Sequence, residues 1–186
     1  VCVLGGVWLT TCYVPRLVDV EFDEPAVWPK VSVIAAARNE ARTVEQAAAS
    51  RMELDYPDLQ LVLIDDRSTD GTGEAVGRVA AADDRVTAVH IEQLPEGWLG
   101  KVHALHRGTQ VAEAQWLLFT DADVHLEPRT LRQAIGYCEQ HGLDHLAAIP
   151  EMWSVGLLLD ATLDVFFRTL CLGMQVWSVP NPRSSA

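Results

Sequence analysis

The chain has 186 residues, enough for one domain with a real core, and its 49% apolar and 22% charged composition is globular. With 14 Lys and Arg against 26 Asp and Glu, the formal net charge is -12. That balance excludes nucleic-acid backbone binding as the main task, and it requires a metal ion or local cations wherever an anionic ligand is held.

In chain order, residues 1–15 contain "VCVLGGVWLTTCYV", fourteen uncharged residues, too few to span a bilayer. They are expected to be the remnant of an N-terminal membrane helix. No basic region precedes them, which argues against a signal peptide. Residues 16–29 carry the acidic, proline-containing "DVEFDEPAVWP" and read as a linker. "KVSVIAAA" then predicts a first buried strand, "RNEARTVEQAAASRM" a helix and "LQLVLIDD" a second strand. "RSTDGTGEAVGRVAAA" predicts a turn and a helix opened by Ser, Thr and Asp. "RVTAVHIE" follows as a third strand, "QLPEGWLG" as a loop and "KVHALHRGTQVAEA" as a helix. "WLLFT" is the fourth strand, "RTLRQAIGYCEQ" a helix and "HLAAIPEM" a further strand. Strand and helix alternate throughout. The expected fold class is therefore α/β, a mostly parallel central sheet with helices on both faces.

From residue 153 to 186 the pattern changes. Asp160, Asp164 and Arg168 recur at four-residue spacing among Leu158, Leu159, Leu163, Phe166, Phe167 and Leu170, which predicts one polar face on an apolar helix. Two readings stand side by side: an amphipathic helix at a membrane interface, or one packed on protein outside this sequence. The chain as a whole reads as a fragment of a longer, membrane-associated protein.

Chemistry concentrates at strand ends. The second strand ends in Asp65 and Asp66 and the fourth in Asp121, with Asp123 two residues on. Open parallel sheets bind ligands outside the carboxyl ends of their strands, so two acidic ends there predict a nucleotide pocket. The small residues of "AAARNE" let a base approach the backbone, and a carboxylate accepts its N–H groups. Two phosphate motifs fail on inspection. "GTGEAVG" has Val76 where G-x-G-x-x-G needs glycine, and "PEGWLGKV" has Pro95 and Val102 where a P-loop needs Gly and Ser or Thr. A divalent cation on Asp121 and Asp123 would neutralise phosphates instead, with Lys101 as a point charge or as an ordinary solvated lysine. His103 and His106 lack a third ligand nearby in sequence, so zinc is not expected there. Cys2, Cys12, Cys138 and Cys171 show no metal spacing and read as reduced thiols.

"VSVIAAARNE", "LVLIDDRSTDGT", "GWLGKVHAL" and "WLLFTDADVHLEP", in this order, resemble the nucleotide-sugar glycosyltransferases of family 2, whose donor domain has the Rossmann-like GT-A fold. "LPEGWLGK" is most similar to membrane-bound hopanoid-associated and ceramide-glucosyltransferase-like members. The resemblance implies a GT-A donor domain over residues 30–152, on the cytoplasmic side of a membrane. It implies a UDP-sugar donor, Mn2+ or Mg2+, a lipid or glycan acceptor, and inverting transfer. Carried over to this sequence, Ala36 to Glu40 line the nucleotide pocket, with Arg38 near the base or ribose and Glu40 supporting the loop. Asp66 and Asp65 contact uracil. Lys101 lies near the diphosphate, Asp121 near ribose and metal, and Asp123 is the stronger metal ligand. The family's acidic base motif and its Q/R-x-x-R-W motif are absent, so the catalytic base is expected beyond Ala186. Two rival readings are a nucleotidyltransferase, for which "AAARNEAR" lacks a glycine-rich loop, and a non-catalytic nucleotide-binding module.

Overall fold

The computed structural model describes residues 16–121, 124–148 and 156–174. After a 3-10 turn at Leu17–Asp19, the strands are β1 (Val31–Ala37), β2 (Leu59–Asp66), β3 (Val86–Ile91) and β4 (Trp116–Asp121). The helices are α1 (Val44–Met52), α2 (Thr72–Ala82), α3 (Gly100–Thr109), α4 (Thr130–His141) and α5 (Leu157–Met174). The four strands form one parallel sheet in the order β3-β2-β1-β4. This is the α/β class the alternating pattern predicts.

β2 is buried along its whole length, as a strand covered on both faces must be. Successive side chains alternate between two cores. Val31, Val33, Ala35, Leu61 and Leu63 pack with α1, α2 and α4 through Val44, Ala48, Val76, Leu131 and Ile135. Ile34, Val62, Ile64, Val89 and Ile91 pack with Ala104 of α3. Gly108 lets α3 lie close: a Cβ there would stand 2.5 Å from Ile34 Cγ2 and 2.8 Å from Ile64 Cδ1. Gly108→Val is therefore expected to destabilise the sheet unit by about 2–3 kcal/mol, the usual range for overpacking. Urea unfolding checks this, and an unchanged midpoint would mean that α3 shifts at no cost.

The described residues divide into two compact units, Phe22–Asp144 and a second unit that takes in those before Phe22 and after Asp144. The stretch predicted as a linker joins the first unit from Phe22 onward. Trp28 packs edge-on to Phe22 and Tyr56 at centroid distances of 6.0 and 5.4 Å, and the Arg132 guanidinium lies 4.9 Å from its ring centre. In the second unit, α5 carries the predicted polar face: Arg168 Nε donates to Asp164 Oδ2 at 2.7 Å. Leu157, Leu158, Val165 and Phe166 are exposed. No described helix is long and apolar enough to cross a membrane. Residues 1–15, predicted as a membrane-helix remnant, lie outside the described residues.

Three predicted elements differ. α1 begins at Val44 rather than near Arg38, because Asn39 takes a left-handed φ of 58° and the Glu40 carbonyl heads the first turn by accepting from Thr43 and Val44 N–H. α3 stops at Thr109 instead of running through Ala114. The buried Gln60 side chain captures the chain there, donating to Val111 O at 3.3 Å and accepting from Glu113 N at 3.0 Å. The further strand predicted over 145–152 does not form over 145–148, which are exposed and in no ladder; 149–152 lie outside the described residues.

Candidate functional site

From β1 the chain goes to β2 and β3 on one side and later returns to β4 on the other, so the topological switch lies between β1 and β4. Ala36 is the register partner of Asp121, and Ala37 that of Asp65. The predicted acidic ends thus sit at one edge of the sheet.

Strand alternation divides them between its faces. Asp65 points to the α2 side, where Oδ1 accepts from Ser68 N–H at 3.3 Å and Oδ2 lies 3.4 Å from His90 Nδ1. It lines a cavity of about 360 Å³ with Ser68, Asp70, Gly73, Glu74 and His90. Asp66 and Asp121 point to the α3 side. Both Asp66 oxygens accept from Arg67, from Nε at 2.7 Å and Nη2 at 2.9 Å. The Asp66 side chain is only 7% exposed. This paired hydrogen bond, opposed by burial and aided by the charges of Arg67, Arg38 and His103, holds its carboxyl below the ordinary value. Asp121 is more open, and its Oδ1 accepts from Lys101 Nζ at the start of α3. Asp66, Lys101 and Asp121 therefore share one side of the sheet, and Asp65 lies on the other.

The loops after β1 and β2 are stitched together. Asn39 N–H donates to Ser68 Oγ at 3.0 Å, and Thr69 N–H donates back to Asn39 Oδ1 at 2.8 Å. Glu40 N–H donates to Thr72 Oγ1 at 2.8 Å, and Ala41 N–H to Asp70 Oδ2 at 3.2 Å. Ala36 is half-buried at the end of β1 and Arg38 is exposed beside this loop.

Asp123 lies outside the described residues, as does Ala122. The catalytic base expected beyond Ala186 falls outside them too, and so does Ala186 itself. Among the described residues no group of three or more His, Cys, Asp or Glu is arranged to hold a metal ion. Of Asp65, Asp66 and Asp121, Asp121 has the most accessible carboxylate, of the kind that hard cations select. On the far side of the sheet from Lys101, the buried Arg51 of α1 donates to Asp121 O at 2.7 Å and Val124 O at 3.2 Å, the two residues that flank Ala122 and Asp123 in sequence. Sequence reasoning passed over it. The available signal was its place on the buried stripe Val44, Ala47, Ala48, Arg51, where an arginine is unexpected. Arg67, which carries a left-handed φ of 57°, was also missed; His103, weighed in the sequence only as half of an H-x-x-H pair, is buried, and its Nδ1 has no hydrogen-bond partner among the described residues.

A family model described as glycosyl transferase family 2 matches residues 32–165. The β-monoglucosyldiacylglycerol synthase of Nostoc sp. is 26% identical over 151 residues, covering 75% of this chain and 31% of that protein. Glycosyltransferase AglD of Haloferax volcanii is 31% identical over 111 residues, covering 57% and 17%. The chain thus spans about a third or less of these relatives. Among solved structures, the mannosyltransferase PcManGT of Pyrobaculum calidifontis, in complex with GDP-Man and Mn2+, superposes with a TM-score of 0.57 at 30% identity, covering 73% of this chain and 41% of that one. S. aureus TarS 1-349 superposes at 0.54 with 24% identity and 66% and 38% coverage, a likeness of fold.

Proposed function

The chain belongs to glycosyl transferase family 2, and on that premise we propose that it is the donor-binding part of a metal-dependent, inverting transferase that moves a sugar from a UDP-sugar to a lipid or glycan acceptor. The observation that carries this reading is the convergence of Asp66, Asp121 and Lys101 on one side of the sheet at its topological switch.

In the proposed reaction the base lies against the Ala36 to Glu40 loop and the end of β2, with Asp66 accepting a base N–H and Arg38 near base or ribose. Asp65, on the opposite side, supports the β2 loop through Ser68. Glu40 fixes the start of α1, and Lys101 can leave Asp121 for the diphosphate. A Mn2+ or Mg2+ ion, held by Asp121 and Asp123, would supply charge that stabilises the leaving diphosphate. The acceptor oxygen forms its bond to the anomeric carbon as the bond to the diphosphate breaks with its electron pair. The hydroxyl proton passes to a carboxylate base. Mn2+ in the PcManGT complex supports a metal, and the name of the Nostoc relative supports a lipid acceptor. In the same proposal the donor domain lies on the cytoplasmic side of a membrane.

Calorimetric titration of the 186-residue chain with UDP, with and without Mn2+, tests the reading. Binding that needs Mn2+ and is reversed by a chelator is expected. A folded sample that takes up no UDP in either condition would sink it.

A further inference from the structure

Asp66 can accept a base N–H only with what Arg67 leaves it. The two hydrogen bonds from Nε and Nη2 form a parallel fork, one to each carboxylate oxygen. A carboxylate has about four lone-pair sites, and this fork occupies the pair that face the same way. The guanidinium spends two of its five N–H donors on Asp66, and its side chain is 20% exposed. The arrangement is held from two directions. Arg67 N–H donates to Ile91 O at 3.0 Å, and its backbone takes the left-handed conformation that sends the side chain back over Asp66. At the start of α3, Gly100 leaves the space: a Cβ there would stand 2.5 Å from Arg67 Nη2 and 3.2 Å from Asp66 Oδ2.

Resting on the donor-site reading above, we propose that Arg67 determines which nucleobase the donor site accepts, by occupying the carboxylate fork of Asp66 and presenting its own spare N–H donors beside it. Guanine offers two adjacent donors, N1–H and N2–H, and would need that same fork. Uracil offers a single N3–H flanked by carbonyl oxygens. One free lone pair on Asp66 meets the N–H, and a spare guanidinium N–H meets a neighbouring carbonyl. The Asp66–Arg67 pair therefore complements uracil and excludes guanine. The choice matters within this fold, since PcManGT is held with GDP-Man.

The test measures affinities for UDP and GDP, each with Mn2+, in three forms of the 186-residue chain. Wild type is expected to prefer UDP by at least about tenfold, in line with the cost of stranding a charged hydrogen-bonding group. Arg67→Lys keeps a cation beside the buried carboxylate but cannot form the fork. Gly100→Ala alters no charge, favours the helix, and displaces the guanidinium. Both are expected to reduce the UDP:GDP ratio about tenfold, mainly by weakening UDP, with thermal melts confirming folded protein. If UDP binds wild type but the ratio is unchanged in both variants, the proposal is overturned while the donor-site reading stands. A wild-type preference for GDP overturns it as well. Absence of binding by either nucleotide to folded wild type removes the donor-site reading, and this inference with it.

Discussion

Asp123→Ala is expected to weaken Mn2+-dependent UDP binding about a hundredfold or more, and to leave the chain folded. In a chain of net charge -12, a diphosphate has few cations to meet: Lys101 is paired with Asp121, and Arg67 with Asp66. A dication bound through carboxylate oxygens is then the main source of attraction, and removing a direct ligand costs more than the 10–100-fold typical of losing an outer partner. Asp121→Ala is expected to cost less, because it removes one ligand but also frees Lys101. Asp160→Ala on α5 is the control, since that helix bears a polar stripe rather than a metal site. Equal losses from Asp123→Ala and Asp160→Ala in the calorimeter would sink the assignment of the D-x-D pair.

Arg51→Met should destabilise the sheet unit by about 3 kcal/mol, because the buried charged donor to the Ala47, Asp121 and Val124 carbonyls is lost, and of these Asp121 O keeps the weaker bonds from Val124 N–H and Thr120 Oγ1. Methionine retains most of the apolar stem, so packing contributes little to the change. The denaturant midpoint should fall with the slope unchanged. A second effect separates positioning from mere stability. At a temperature where the variant is fully folded, Mn2+-dependent UDP affinity should still drop about tenfold, because the backbone at Asp121 and Val124, on either side of the D-x-D motif's last two residues, has lost its tie. Uridine without metal is the comparison, and its binding should not change. Wild-type stability, or wild-type UDP affinity in the folded variant, would show that Arg51 does not position the backbone at Asp121 and Val124.

The strands were legible because each is a short apolar run bounded by polar or turn residues, and β2 runs over the predicted "LQLVLIDD". Helix ends were less so. The start of α1 depends on a left-handed Asn39, and the end of α3 on Gln60, fifty residues away in sequence; neither leaves a mark in local periodicity. The acidic pair at the end of β2 was visible, and its division between two faces follows from strand geometry alone. That Arg67 would take up Asp66 was not visible, because it depends on how closely α3 approaches at Gly100. Arg51 was hidden in a stretch that reads as an ordinary helix, and its acceptors lie seventy residues further on.

The reciprocal bonds between the loops after β1 and β2 limit how this chain can be recombined with a relative. Asn39, Glu40 and Ala41 are matched to Ser68, Thr69, Asp70 and Thr72. A chimera whose crossover falls within α1 or β2 would join one partner's loop to a foreign counterpart and lose several of these bonds at once. Crossovers placed before β1 or after the first turn of α2 exchange the two loops as a set, and are the ones from which a hybrid donor site can be recovered.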